Sequence, residues 1–220
     1  MAVGEAVKRE VWEAGIPNEI SYWRGWLVKH SRRYLKQRTL HTYFGSMIGD
    51  KKEVSILDLG SGALPLIGYT WNEVVISLFP TDLLADVYNE MIDELGLEPP
   101  QRVTKQDMEQ LTYHDNFFDI VHCHNALDHS HNPRKALLEM DRVCKSGGWI
   151  YLWHLAHVGK QSGYHNLHLW NIDGADDGDC VIWNREERFL LSEVVPGFQT
   201  EVHDDHIPRR HVVISKRKQP

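Results

Sequence analysis

Apolar residues fall into two rhythms along this chain. The short β-branched and aliphatic runs "EVSILDL", "EVVISLF" (around Val74 to Phe79), "FFDIVHC" and "WIYLWHL" read as buried strands. "RVTKQ" is a weaker strand between the second and the fourth of the series. Other stretches return their apolar residues at helical spacing. "LLADVYNEMIDELG" is a helix stopped by Gly96 ahead of Pro99 and Pro100. "NPRKALLEMDRVCKSGG" is a helix with Pro133 near its first turn and Gly147 after its end. Strand and helix in alternation predict a parallel, doubly wound α/β sheet.

Three regions depart from the alternation. The first fifty residues read as helices, with Trp12, Ile16, Ile20, Trp23, Trp26 and Leu27 at near-helical spacing and a break at Pro17. Residues 156–184 are polar, glycine-rich and dotted with aromatics, and read as an inserted loop or cap. The end, "FQTEVHDDHIPRRHVVISKR", reads as two short strands turning at Pro208, a closing hairpin at the sheet edge. The expected division is a helical cap over 1–50 and a sheet domain over 51–220 that carries the insertion.

Composition narrows the partners. A chain of 220 residues suits one domain with a small cap, and 42% hydrophobic with 25% charged residues is ordinary for a globular protein. A net charge of -7 disfavours a role on nucleic acid. The odd number of cysteines, Cys123, Cys144 and Cys180, includes no C-x-x-C pair. That argues against a disulfide framework or a cysteine zinc site and fits a reducing, cytoplasmic setting. The N-terminus shows no apolar signal core, and no segment is long enough to cross a bilayer.

The candidate chemistry starts at Ser55 to Pro65, "SILDLGSGALP". It opens like the dinucleotide fingerprint G-x-G-x-x-G, but Pro65 stands where the third glycine belongs. That glycine serves helix packing beneath a pyrophosphate, so a ligand without one does not need it. Gly60 and Gly62 would let the backbone approach a ligand. Asp58 precedes the turn, and Asp82 ends the second strand, where a carboxylate can accept from ribose hydroxyls or cap the next helix. Such a turn suits a nucleoside with a small charged appendage.

With these motifs in this order, the chain resembles the class I S-adenosylmethionine (SAM)-dependent methyltransferase family from about Ser55 to Leu155. "LDLGSGALP" looks like that family's D-x-G-x-G turn, with Leu64 in place of a small residue. "LFPTDLLADVYNEM" resembles the acidic end of its second strand. "KQDMEQLTYHDNFFDIVHCHNALDHSHNPRKALLEMDRVCKSGGWIYL" is similar to the stretch from adenine loop to fifth strand. The resemblance implies a Rossmann-like, mostly parallel seven-stranded sheet, SAM as cofactor, and methyl transfer. It makes Asp82, beside Leu83, the ribose ligand and Asp107 the partner of the adenine amino group. Met108 would pack on the ring, and His124 and Asn125 would line the methionine end. Asp58, Gly60, Ser61 and Gly62 complete the implied cofactor set. "CHNALDHSHNP" and "GYHNLHLWN" are similar, more loosely, to members that modify sugars and surface glycans. The acceptor expected is therefore a small molecule or a sugar, methylated at a hydroxyl; a homodimer is allowed.

Histidines are abundant, 14 in all, and many follow strand ends. A base for a hydroxyl acceptor is expected among them: His129 first, then His154, then His168. The pairs in "HLAH" and "HNLH" lie on segments that are not convincingly helical, so no metal is expected. "ADDGD" lacks the spacing of a calcium loop and reads as a solvated turn. The tryptophans default to packing, with a minority free to stack on a substrate ring. Two rival readings stand beside the methyltransferase: a nicotinamide-dependent oxidoreductase, and a non-catalytic partner subunit with the same fold.

Overall fold

The computed structural model describes residues 3–36, 38–203 and 211–219, with side chains from residue 9 onward. A seven-stranded sheet forms its centre, in the order β3-β2-β1-β4-β5-β10-β9. Strands β1 (Glu53–Leu59), β2 (Val75–Asp82), β3 (Thr104–Lys105), β4 (Phe118–His124) and β5 (Cys144–Leu155) run parallel. At the far edge β9 (Gln199–His203) and β10 (His211–Arg217) form an antiparallel hairpin against β5. This is the doubly wound, Rossmann-like sheet that the alternation and the resemblance imply. Pro208, expected at the hairpin turn, lies outside the described residues.

Alternation along the strands explains the layering, since a parallel sheet must bury both faces. Leu57, Leu59, Val121, Cys123, Ile150 and Leu152 point to one side. There they meet Ala136, Leu137, Met140 and Val143 of α4 (Pro133–Val143). Val54, Ile56 and Ile120 point to the other, onto Phe44, Met47 and Ile48 of the short α2 (Phe44–Ile48). Helix α3 (Ala85–Glu94) buries Tyr88, Met91 and Ile92 against Trp23 and Leu27 of α1 (Val3–Tyr34).

The structure alters three sequence expectations. Helix α1 runs unbroken through Pro17. Proline removes one backbone donor, yet tertiary contacts on both sides hold the segment. Asn18 donates to Asn166 Oδ1 at 2.7 Å, and a Cβ on Gly15 would strike the Asn166 backbone at 2.6 Å. Gly147 is not a helix stop, because β5 begins directly at Cys144. Gly147 and Gly148 instead occupy a register shift between β4 and β5, where a Cβ on Gly148 would meet the Asp119 carbonyl at 2.8 Å. Residues 156–184 are more than a loop. They supply α5 (Val158–Gln161), β6 (Asn171–Gly174) and β7 (Cys180–Trp183), which form a second, antiparallel sheet with β8 (Arg188–Leu190). Trp170, Ile172, Ile182 and Phe189 are buried and join the main core. The acidic "ADDGD" stretch turns between β6 and β7.

Asp119 pins three central strands together. Its carboxylate accepts from Lys51 and Lys145 at 2.8 Å each, and from the Ser55 hydroxyl and amide at 2.8 and 3.0 Å. Burial alone would raise its pKa, but these donors outweigh it and hold the carboxyl well below the usual range. Asp119→Ala should therefore cost about 2–3 kcal/mol at neutral pH. A depressed folded-state pKa stabilises above the unfolded value, and the benefit is lost as acid titrates the group. Denaturant unfolding should show the gap between wild type and variant narrowing as pH falls below about 3.9. An unchanged gap would mean the carboxylate is not what the strands depend on.

Candidate active site

The strand order reverses between β1 and β4, and a cavity of about 510 Å³ opens at the carboxyl ends of these strands and β2. Ligands of open α/β sheets sit at such a switch point. Every residue assigned from the sequence to the cofactor lines this cavity: Asp58, Gly60, Ser61, Gly62, Asp82, Leu83, Asp107, Met108, His124 and Asn125. His129 and His168 line it too, whereas His154 does not.

The glycine turn is shaped by its protein neighbours. Gly60 and Gly62 take φ of +64° and +66°, the left-handed region in which side chains are strained. A Cβ on Gly60 would meet Ala126 Cβ at 2.2 Å, and one on Gly62 would meet the Trp23 ring at 1.8 Å. These glycines admit the β4 exit loop and α1 to the turn. Asp82 holds the same turn from beneath: Oδ2 accepts from the Gly62 amide at 3.1 Å and Oδ1 from the Leu84 amide at 2.9 Å. Desolvation raises its pKa to about 6 despite those two bonds. Asp107 accepts from the Glu109 amide at 2.8 Å and is exposed.

Two expected cofactor residues already carry structural work. Asp58 is buried, and its carboxylate lies 2.7 Å from His122 Nδ1; His122 Nε2 lies 3.1 Å from the Tyr43 hydroxyl. Asn125, at φ +51°, donates its amide to the Trp153 carbonyl at 2.9 Å and accepts from the Leu155 amide at 2.8 Å. It ties the end of β4 to the end of β5. The His124 ring meets the Trp153 ring at a tilt of 48°, with centroids 4.4 Å apart. Desolvation against the cavity wall, and then neighbouring histidines, lower its pKa.

Also at the cavity, His129 Nε2 lies 3.1 Å from His168 Nδ1, which lies 2.7 Å from Asp128 Oδ2. Burial would raise Asp128, but the charge on His129 and the bond and charge from His168 outweigh it and lower the carboxyl to about 2. His154, the second candidate base, is fully buried with neither ring nitrogen hydrogen-bonded among the described residues. Desolvation lowers its pKa to about 4. Chain spacing gave no sign that Asp128, His129 and His168 meet, because His168 arrives from the inserted segment. Trp12, Glu19 and Tyr22 of α1, in the segment expected to cap the sheet but not named individually as site residues, also line the cavity. The helical spacing of Trp12 and Trp23 was the available signal for that helix.

Residues 57–152 match the family model described as "Methyltransferase domain", and that span holds the strand-and-turn frame of this cavity. That span, under half of the chain, is similar to the class I SAM-dependent methyltransferase family. The likeness makes SAM the ligand against which the cavity is compared. Among similar proteins, a phosphatidylethanolamine N-methyltransferase of Cereibacter sphaeroides is 30% identical over 112 residues, 49% of this chain and 53% of that one. The thiol S-methyltransferase TMT1B of Rattus norvegicus is 29% identical over 139 residues, covering 61% and 55%. The chain thus spans about half the length of these curated relatives. A sarcosine dimethylglycine methyltransferase structure from Galdieria sulphuraria shares the fold, at TM-score 0.52 and 12% identity, over 81% of this chain and 83% of that one. No described helix is long and apolar enough to cross a membrane.

The packing of the Gly60–Gly62 turn is testable by itself. Gly62→Ala should cost at least about 1–2 kcal/mol from backbone strain, with a further cost from displacing Trp23. Thermal unfolding should register the loss, and tryptophan fluorescence should shift as α1 lifts from the turn. Wild-type stability and emission would show that α1 does not rest on Gly62.

Proposed function

We propose that the protein transfers the methyl group of SAM to a hydroxyl of a small molecule or glycan. The observation that carries this reading is one cavity with two unlike ends. The Gly60–Gly62 turn, Asp82, Asp107 and Met108 suit a nucleoside, while Asp128, His129 and His168 offer proton chemistry. In the proposed pose Asp82 accepts from the ribose hydroxyls with lone pairs that its two backbone bonds leave over. Asp107 takes the adenine amino group, Met108 covers the ring, and the sulfonium methyl points toward His129.

Methyl transfer is an in-line displacement, so the protein's first task is to hold donor and acceptor at near-attack distance without water. Trp12, Glu19 and Tyr22 of α1 and Leu167 of the inserted segment wall the cavity for that purpose. The relatives are named for nitrogen and sulfur acceptors. An amine or a thiolate attacks without much help, but a hydroxyl must lose its proton. A buried carboxylate joined to two imidazoles is suited to the harder acceptor.

Two measurements test the reading. Calorimetry on Asp82→Asn should show SAM affinity lower by about 10- to 100-fold, since a neutral amide replaces a charged acceptor. Asparagine keeps an oxygen for the Gly62 or Leu84 amide, so the fold survives better than with alanine. Turnover by His129→Ala, read with labelled SAM across sugars, nucleotide sugars and phenols, should fall about 10²–10⁴-fold with SAM affinity retained. Undiminished turnover would move the acceptor away from His129.

A further inference from the structure

Asp128, His129 and His168 bring three electron-pair donors to one point. His168 Nδ1 stands 2.7 Å from Asp128 Oδ2 and 3.1 Å from His129 Nε2, and the last two are 3.6 Å apart. A single ring nitrogen cannot satisfy both neighbours well by hydrogen bonding. Protonated, it has one N–H to divide between them; unprotonated, it turns a lone pair on a carboxylate. A cation in the middle would satisfy all three. Four ligands around a metal at about 2.0–2.1 Å have edges of about 3.3 Å, and the three separations here straddle that value.

We propose that Asp128, His129 and His168 bind one divalent transition-metal cation, of the zinc, cobalt or iron class, at the acceptor end of the cavity. Two imidazoles and one carboxylate favour such ions over magnesium and calcium, which prefer oxygen shells. Three protein ligands leave coordination positions open. His129 and His168 both line the cavity, so the open side faces the space left for the acceptor. Asp128 supplies the rigid arm: its side chain is buried, and its carbonyl accepts from the amides of Leu169 and Trp170 at 3.0 and 3.2 Å. The loop bearing His168 is thereby fixed beside it.

The consequence for catalysis rests on the methyl-transfer reading. An acceptor hydroxyl on the open side of the cation loses its proton to water at a lower pH than a free hydroxyl does. The resulting oxygen anion attacks the methyl carbon of SAM. An O–CH₃ bond forms, the S–CH₃ bond breaks with its electron pair going to sulfur, and neutral S-adenosylhomocysteine leaves. His129 then acts as a ligand that positions the cation.

The test uses tag-free, full-length protein freed of metal by a chelator and dialysed. Zn²⁺ and Co²⁺ are titrated by calorimetry, with visible absorption following Co²⁺. One equivalent per chain, ligand-field bands and a raised thermal midpoint are expected. His168→Ala, at a partly exposed position, and Asp128→Asn, which keeps the side-chain volume, should each weaken binding at least about tenfold. Both should retain the wild-type circular dichroism spectrum and SAM affinity. Absence of saturable binding by either ion, or binding untouched by both substitutions, overturns the site. SAM calorimetry on the same samples separates the two ideas. SAM binding without metal binding removes this inference alone, and metal binding without SAM binding removes the methyl-transfer reading alone.

Discussion

Asp128 is the joint on which the His129–His168 side of the cavity depends. It lies in the short turn after β4 and is used twice. Its carboxylate meets His168 at 2.7 Å, and its backbone carbonyl takes the amides of Leu169 and Trp170. Trp170 in turn is buried and donates its ring N–H to the Ser130 carbonyl at 2.9 Å. One short stretch after β4 therefore grips the inserted segment through backbone, carboxylate and indole. That grip adds to the burial of Trp170, Ile172, Ile182 and Phe189 in the main core, and it brings the two histidines together. Asn125 sets the start of this stretch, since its left-handed backbone and two bonds to β5 aim the chain across the cavity mouth.

The side of the cavity formed by the Gly60–Gly62 turn is built on a different logic. There the polar groups satisfy one another before any ligand arrives. Asp82 holds the turn and the entry to α3, Asp58 holds His122, and Trp23 fills the space above Gly62. Each buried carboxylate keeps lone pairs in reserve, because two oxygens offer more acceptor sites than their bonds use. A preorganised surface of this kind loses little entropy when a ligand settles on it. The raised pKa of Asp82 is the cost, as desolvation disfavours the charge that a ribose would need.

The frame was legible in the sequence because its signals are local. A buried strand, a glycine turn and an acidic strand end each announce themselves within ten residues, and from β1 to β5 they follow in an order that only a doubly wound sheet satisfies. Pro17 misled because a local rule about proline met tertiary contacts that override it, at Gly15 and Asn18. The inserted segment misled in the opposite way. Its strands are three or four residues long and separated by polar turns, so periodicity had too little length to register. The meeting of His129 and His168 could not be read at all, since it depends on a backbone contact formed between segments about forty residues apart.

The boundary of the family match points to where specificity resides. The span 57–152 contains the glycine turn, Asp82, Asp107, Asp128 and His129. His168 and the cavity walls given by Trp12, Glu19 and Tyr22 lie outside it. The residues proposed for the donor all fall inside that span, and the two relatives described above differ in acceptor, one named for nitrogen and one for a thiol. In this chain the shared span supplies Asp128 and His129, and a segment outside it completes the cluster with one more imidazole. Its polar links to the frame include the turn after β4, the Asn18 to Asn166 contact with α1 and the Arg134–Glu187 ion pair from α4 to the second sheet, so the element that brings His168 is anchored at several separate points.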